Sequence, residues 1–276
     1  MGRILLVDGS NLLFQMYSGM PSRILNSEGK QIHGTLGFVG ALLKMIRMVL
    51  PDYVAVFFDG EHENPRVRLD GEYKANRQED ERDSPFSQLE DVYRALDALK
   101  IRRAETVDCE TDDWIAGYVK RFSGTHEIVI ASMDSDFFQL VSPMVRVLRY
   151  RGKNSVFCDE AYIREKFGVA PGQYADLKVL VGDTADNIPG VPGVGVKTAA
   201  RLMGEFGSLD GMLSRVQEIK RASTRTAIEE NRERLRLNRK LIFLDGVHDV
   251  PFVPEEMAWK DAGATTVQVL HEVGLR

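Results

Sequence analysis

Three apolar runs in this chain end on aspartate, and that pattern constrains the fold more than any other feature. Residues 3–7 (RILLV) run into Asp8, Tyr53–Phe58 (YVAVFF) runs into Asp59, and Glu127–Ala131 (EIVIA) is followed within a few residues by Asp134 and Asp136. None of the runs alternates apolar with polar residues, so each reads as a strand buried on both faces. Helical patterns separate them. Residues 36–50 carry apolar side chains at nearly every third or fourth place, residues 88–99 follow a capping-box pattern of Ser87 and Glu90, and residues 114–122 are also helical. Residues 101–106 and 145–150 supply two further strands. Strands alternating with helices predict an α/β fold with a mostly parallel central sheet and helices on both faces.

Beyond about residue 160 short helices take over, at Glu160–Phe167, 174–182 and 197–206, followed by a long polar stretch over 217–238. The expected division is an α/β core over 1–160 and a helical subdomain over 161–276, with the C-terminal segment packing back on the core. Residues 73–85 (YKANRQEDERDSP) are nearly devoid of apolar side chains and read as a flexible loop over about 73–86. At 276 residues, with 43% apolar and 28% charged, the chain can bury a sizeable core. No run of 18 apolar residues exists, so no membrane span is expected. The first residues enter a strand at once, leaving no room for a signal peptide, and the two cysteines, Cys109 and Cys158, suit a reducing cytoplasm better than a disulfide scaffold.

The acids carry the chemistry. In an open parallel sheet, ligands bind beyond the carboxyl ends of the strands, and Asp8, Asp59, Asp134 and Asp136 all lie there. Glu110, Asp112 and Asp113 stand just before the helix at 114–122, and Asp183 and Asp186 lie beside a glycine-rich stretch. Each acid alone has an ordinary structural reading as a turn, cap or first-turn residue. Nine converging carboxylates would raise one another's pKa values until several were protonated, unless divalent cations were bound. An all-oxygen set suits Mg²⁺ or Mn²⁺, and no histidine is placed to change this, since the five at 33, 62, 126, 248 and 271 are scattered. His33, beside Gly34, is expected at the surface. Two hard cations in a carboxylate site normally act on phosphate esters, so phosphodiester hydrolysis is the favoured chemistry. Setting the nine acids aside turns the formal net charge of −5 into +4, so the sign of the total does not exclude a nucleic acid.

The stretch DNIPGVPGVGVKTA from Asp186 reads as a helix-hairpin-helix with glycines at 190, 193 and 195. Such a turn lets backbone N–H groups approach a phosphate, with Lys197 and Thr198 beside it, and its carbonyls could hold a monovalent cation such as K⁺. The spacing is not that of a P-loop. Residues 215–240 contain nine Lys or Arg and four Glu, and both a solvated helix and a DNA-facing surface remain open readings.

In order along the chain, LLVDGSNLLF, VFFDG, YKANR, ETDD, SMDSDFFQLV and GDTADNIPGVPGVGVKTA resemble the 5′ nuclease family. That family comprises flap endonucleases, the 5′→3′ exonuclease domain of bacterial DNA polymerase I, and free-standing phage and bacterial versions. The resemblance runs from Arg3 to about Val216, with weaker similarity beyond. It implies a PIN-like nuclease core, with Asp8, Asp59, Glu110, Asp112 and Asp113 around a first metal ion and Asp134, Asp136, Asp183 and Asp186 around a second. It implies that Lys74 and Arg77 act on the scissile phosphate at the base of an arch. Tyr73 would stack on a base there, with simple packing as the alternative. The implied partner is DNA with a 5′ flap or 5′ end, including RNA-primed ends, bound by a monomer that acts in replication or repair. Two departures stand out: Ser135 replaces a lysine found in many polymerase-type members, and the loop after Arg77 is short and acidic. No polymerase domain follows, which implies a separate nuclease. Two alternatives are a structure-specific DNA-binding module without catalysis and a PIN-type RNA nuclease. A haloacid dehalogenase phosphatase is disfavoured because Asp8-Gly9-Ser10-Asn11 lacks its nucleophile motif.

Overall fold

Leu5, Val7, Val54, Val56, Phe58, Val129 and Ala131 belong to one buried apolar cluster, whereas Ile4, Leu6, Ala55, Phe57, Ile128 and Ile130 belong to another. Successive side chains of a strand point to opposite faces, so the unbroken apolar runs supply a sheet covered on both sides. The computed structural model describes residues 2–20, 22–76 and 84–275. Its first part comprises β1 (Arg3–Asp8), α1 (Gly9–Gly19), α2 (His33–Val49), β2 (Tyr53–Phe58), α3 (Pro65–Leu69), α4 (Leu89–Ala98), β3 (Arg102–Glu105), α5 (Thr111–Phe122), β4 (Glu127–Ala131), β5 (Val145–Arg149) and β6 (Val156–Cys158).

The six strands lie in the order β3-β2-β1-β4-β5-β6. All neighbours are parallel except β5 and β6. The mostly parallel sheet expected from the sequence is therefore present. The strand order reverses between β1 and β4, and at such a switch point the connections leave for opposite faces and open a crevice beyond the carboxyl ends. Val7 lies opposite both Val56 and Ala131, so β1, β2 and β4 end level with one another. That register brings Asp8, Asp59 and the turn carrying Asp134 to one edge.

One face of the sheet packs on α1, α2 and α4. The other packs on α5, and its core continues without a break into the second part of the chain. There follow α6 (Glu160–Phe167), α7 (Tyr174–Val181), a two-stranded ribbon of β7 (Gly182–Asp183) and β8 (Ile188–Pro189), α8 (Val196–Phe206), α9 (Leu209–Ser214), α10 (Ala222–Glu230), α11 (Arg232–Ile242) and α12 (Thr266–Glu272). Helix α12 lies against α2 and α4, with Val269 in their core. The Trp259 indole N–H donates to the Leu99 carbonyl at 2.9 Å, another tie between the end of the chain and the core. Among the described residues no helix is long and apolar enough to cross a membrane.

Some local expectations fail for identifiable reasons. The capping box does not form, because Pro85 starts a 3-10 turn that runs directly into α4; Ser84 caps that turn, and the Ser87 hydroxyl donates to the Ser84 carbonyl at 2.7 Å. His33 is buried rather than at the surface, its ring 4.4 Å from that of Tyr17 across the α1–α2 contact. The polar stretch over 217–238 is broken at Asn231 between α10 and α11.

Candidate active site

Asp8 is both the last residue of β1 and the N-cap of α1. Its Oδ1 accepts from the Asn11 N–H at 3.1 Å and its Oδ2 from the Ser132 hydroxyl at 2.8 Å. The Ser132 hydroxyl also accepts from the Asp134 N–H at 3.0 Å, and Asp134 Oδ1 accepts from the Asp136 N–H at 2.8 Å. The Asn11 side-chain oxygen takes the Met133 N–H at 3.0 Å. The turn after β4 is thereby fastened to the turn after β1, and two strand-end acids are held near each other. Asp59 is tied to the start of α5, where its Oδ1 accepts from the Thr111 N–H at 2.9 Å. Burial, then the charge of Asp59, and more weakly that of Asp134, push the Asp8 carboxyl up to about 7.

The acids at the start of α5 gather on two cations. Arg66, from α3, is buried; its guanidinium pairs with Glu110, reaches Asp113 at 2.7 and 3.0 Å, and lies 3.4 Å from Asp112. Lys74 pairs with the other Glu110 oxygen, and the Tyr73 hydroxyl donates to Glu110 at 3.1 Å. Burial opposes ionisation of Glu110, but Lys74 and Arg66 outweigh it and hold the carboxyl down at about 2. Asp112 goes the other way: burial raises it, Arg66 only partly offsets this, and Glu110 and Asp113 add repulsion. Asp113 also serves its own helix by accepting the Glu110 N–H at 3.1 Å.

The third group is the tightest. Oxygens of Asp136, Asp183 and Asp186 lie within 4.8 Å of one another. Lys178, from α7, is buried and bridges Asp136 to Asp183. Burial prevails over Lys178 at Asp136, whose carboxyl rises to about 7. The less buried Asp183, which also accepts the Ala185 N–H at 2.9 Å, is held low. The segment bearing Lys74 is fastened to the same turn. The Lys74 N–H donates to the Asp186 carbonyl at 2.9 Å, Asn76 to the Thr184 carbonyl at 3.0 Å, and Asn187 to the Glu72 carbonyl at 2.7 Å.

The nine acids thus lie along one edge as three linked groups. Among the described residues, three of them, Asp136, Asp183 and Asp186, stand close enough together to share one ion. The donor set fits a hard divalent cation: every ligand is a carboxylate oxygen, and burial, with neighbouring carboxylates adding to it, raises Asp8 and Asp136 towards neutrality, a cost that a bound cation would relieve. Arg66 and Lys178, the buried cations that pair with these acids, are residues that sequence reasoning missed. The available signal for Lys178 was a lone cation inside an apolar helix, YADLKVLV.

Tyr73 is buried, with its hydroxyl on Glu110 and the Lys74 ammonium 4.8 Å from its ring centre. Arg77 lies outside the described residues, as does half of the loop over 73–86. In the hairpin, Gly193, Gly195 and Lys197 are exposed and Thr198 half-buried at the start of α8. Gly190 serves the packing instead. A Cβ there would sit 2.1 Å from the Val181 carbonyl oxygen, so close chain approach demands the glycine. Much of the basic run is used internally, with Arg234 paired to Asp70 at 2.6 Å and Arg239 to Asp210 at 2.7 Å.

The shifted carboxyls set a stability profile. Asp8 has a folded pKa of about 7 against an ordinary 3.8, so between those values the folded state binds more protons than the unfolded one. Stability conferred at low pH is then lost as pH rises towards 7, at up to ~1.4 kcal/mol per pH unit for each such group. Asp136 acts in the same sense, while depression of Glu110 from 4.5 to about 2 matters only at lower pH. Chelator-treated protein is expected to lose thermal stability from pH 5 to 7.5, with saturating divalent cation flattening the slope. A melting temperature that rises with pH in chelator would contradict the charge placement.

The comparisons with known proteins agree with this geometry. Residues 3–168 match the family model described as 5′-3′ exonuclease, N-terminal resolvase-like domain, and residues 169–265 match 5′-3′ exonuclease, C-terminal SAM fold. A 5′-3′ exonuclease of Streptomyces coelicolor is 35% identical over 237 residues, covering 80% of this chain and 78% of that one. DNA polymerase I of Rhizobium leguminosarum is 36% identical over 251 residues, covering 87% of this chain but 24% of the polymerase, so the chain spans about a quarter of that relative's length. The fold matches a bacteriophage T5 flap endonuclease, solved as a pseudo-enzyme-product complex with DNA and metal ions. The TM-score is 0.72 at 21% identity, over 88% of this chain and 89% of that one. It also matches the catalytic core of Rad2 in complex with DNA substrate, at a TM-score of 0.60 and 18% identity over 98% and 84% of the two chains. With two family models spanning most of its length in the expected order, the chain belongs to the 5′-3′ exonuclease family.

Proposed function

We propose that this chain hydrolyses DNA phosphodiesters near junctions of single- and double-stranded DNA, as a 5′→3′ exonuclease and flap endonuclease acting in replication or repair. The observation that carries the reading is the meeting of Asp136 with Asp183 and Asp186 within 4.8 Å, the last of these accepting the Lys74 N–H at its carbonyl. Asp8, Asp59, Glu110, Asp112 and Asp113 would hold one divalent ion and Asp134, Asp136, Asp183 and Asp186 a second. Mg²⁺ or Mn²⁺ there would supply an activated water and stabilise the leaving oxygen. Lys74 carries a positive charge between the two groups, where it can meet the scissile phosphate. Arg77 follows on the same segment and would steer that phosphate.

The exposed hairpin residues Gly193, Gly195 and Lys197, with Thr198, would grip the duplex backbone at the start of α8, with K⁺ at the turn carbonyls. The division of labour would be a nuclease core over 1–160 and a DNA-gripping subdomain over 161–276. A monomer working in the cytoplasm on 5′ flaps, 5′ ends or RNA-primed ends completes the proposal. Both cysteines are buried and free, which suits a reducing compartment.

A labelled 5′-flap substrate assayed with Mg²⁺, with Mn²⁺ and with EDTA, and read at nucleotide resolution, tests this. Cleavage near the junction with either ion, none in EDTA, and products bearing a 5′-phosphate and 3′-hydroxyl are expected. Binding without turnover would leave only a DNA-binding module, and faster cleavage of single-stranded RNA would indicate the PIN-type alternative. Lys197→Ala is expected to weaken duplex binding across sequences and lower the salt slope by about one, leaving the single-turnover rate at saturation unchanged. An unaltered salt slope would remove Lys197 from the phosphate contacts.

A further inference from the structure

We propose that Asp108, Cys109 and His248 form a second metal site of a different chemical kind, one that takes zinc rather than magnesium. The Asp108 carboxylate, the Cys109 thiol and a His248 ring nitrogen each place a ligand atom within 4.8 Å of the other two. Thiolate sulfur and imidazole nitrogen favour a borderline-soft ion, and three protein ligands leave a fourth tetrahedral position for water. The carboxylate edge described above offers neither sulfur nor imidazole. Bound as thiolate, carboxylate and neutral imidazole, the three groups balance the charge of Zn²⁺, and the thiol proton leaves to solvent.

The meeting is built into the packing of the C-terminal segment. His248 sits in the loop after α11, and this loop presses directly on α5. A Cβ on Gly117 would lie 2.8 Å from the His248 carbonyl oxygen, so glycine is what permits the approach. Gly246 has φ +62°, and a Cβ there would lie 2.7 Å from the Ala116 carbonyl oxygen. Upstream, the Leu244 N–H donates to the Gln139 side chain at 3.0 Å, and Lys120 donates to the Asp245 carbonyl at 3.1 Å. From the other side, Cys109 is buried in the turn entering α5 while Asp108 is exposed, which gives an ion a route in. An ion here would clamp the 244–250 loop to the residue immediately before Glu110. The role is structural, and it does not depend on the nuclease reading.

Cobalt provides the test, because only a thiolate ligand gives a thiolate-to-cobalt charge-transfer band in the near ultraviolet. Full-length protein stripped with chelator and titrated with Co²⁺ is expected to develop that band at one equivalent. Zn²⁺ should bleach it and excess Mg²⁺ should not. Cys109→Ser should abolish it. Because Cys109 is buried, the half-buried loop residue His248 carries the decisive comparison. His248→Ala should keep its circular dichroism and raise the Co²⁺ half-saturation point by about tenfold or more. Absence of the band in the parent protein, its survival in Cys109→Ser, or an unchanged half-saturation point in His248→Ala would each overturn the proposal.

Discussion

Asp183→Ala and Asp134→Ala are each expected to cut the Mg²⁺-supported cleavage rate by about a thousandfold or more while leaving DNA binding intact. The argument for Asp183 rests on charge. In the parent protein one ammonium, Lys178, stands among three clustered carboxylates, so the group keeps a net negative charge that can attract a divalent ion. Removing Asp183 leaves Lys178 with Asp136 and Asp186, which halves the formal excess charge of the group and takes away one of its three clustered ligands. Asp134 acts through geometry as well. Its carboxylate accepts the Asp136 N–H at 2.8 Å, so its loss frees the turn that aims Asp136 into the cluster. Neither residue lies on the exposed hairpin, so the affinity for a flapped duplex, measured in Ca²⁺ or EDTA, should be unchanged or slightly tighter through reduced repulsion. Undiminished cleavage by both variants would remove the site.

The parts of the fold visible in the sequence are those whose cause is local. An apolar run without alternation already states that both faces are covered, and the acid at its end already states which edge of the sheet it reaches. The residues that escaped notice take their meaning from distant partners. Arg66 stands in a short polar helix, and its partners Glu110, Asp112 and Asp113 begin another helix on the far side of β3. Nothing local to PRVRL says that the first arginine is buried while the second, Arg68, is exposed and paired with Glu63. The glycines of the hairpin divide in the same way. Gly190 is needed by the Val181 carbonyl behind it and Gly193 by its own φ of +77°, and the spacing alone cannot tell these demands apart. β6 is three residues long, too short to show a period, and His33 is buried by a tyrosine from a preceding helix that no local pattern revealed.

Arg66→Ala is expected to destabilise the chelator-treated protein by about 3–5 kcal/mol, the usual cost of removing one partner from a buried ion pair. The Arg66 side chain is 8% exposed, and its guanidinium is shared by Glu110, Asp112 and Asp113, whose side chains are 11%, 19% and 13% exposed. Without it, Lys74 remains on Glu110, but Asp112 and Asp113, adjacent in the first turn of α5, are left with little counter-charge. Those acids can recover stability by two routes, and each gives a distinct signature. Lowering the pH protonates Asp112, already raised by burial, so the deficit should shrink towards pH 5. Saturating Mg²⁺ should also restore part of the deficit, because an ion that binds only the folded state stabilises it by mass action. Arg66→Lys keeps the charge but loses the two-pronged hold on Asp113, and should fall between the parent and the alanine variant. Denaturant titrations of the three proteins, in EDTA and in Mg²⁺, measure every one of these differences. Equal stability of Arg66→Ala and the parent in EDTA would mean that the guanidinium does not hold these three carboxylates together, and the charge balance assigned to the first acid group would be wrong.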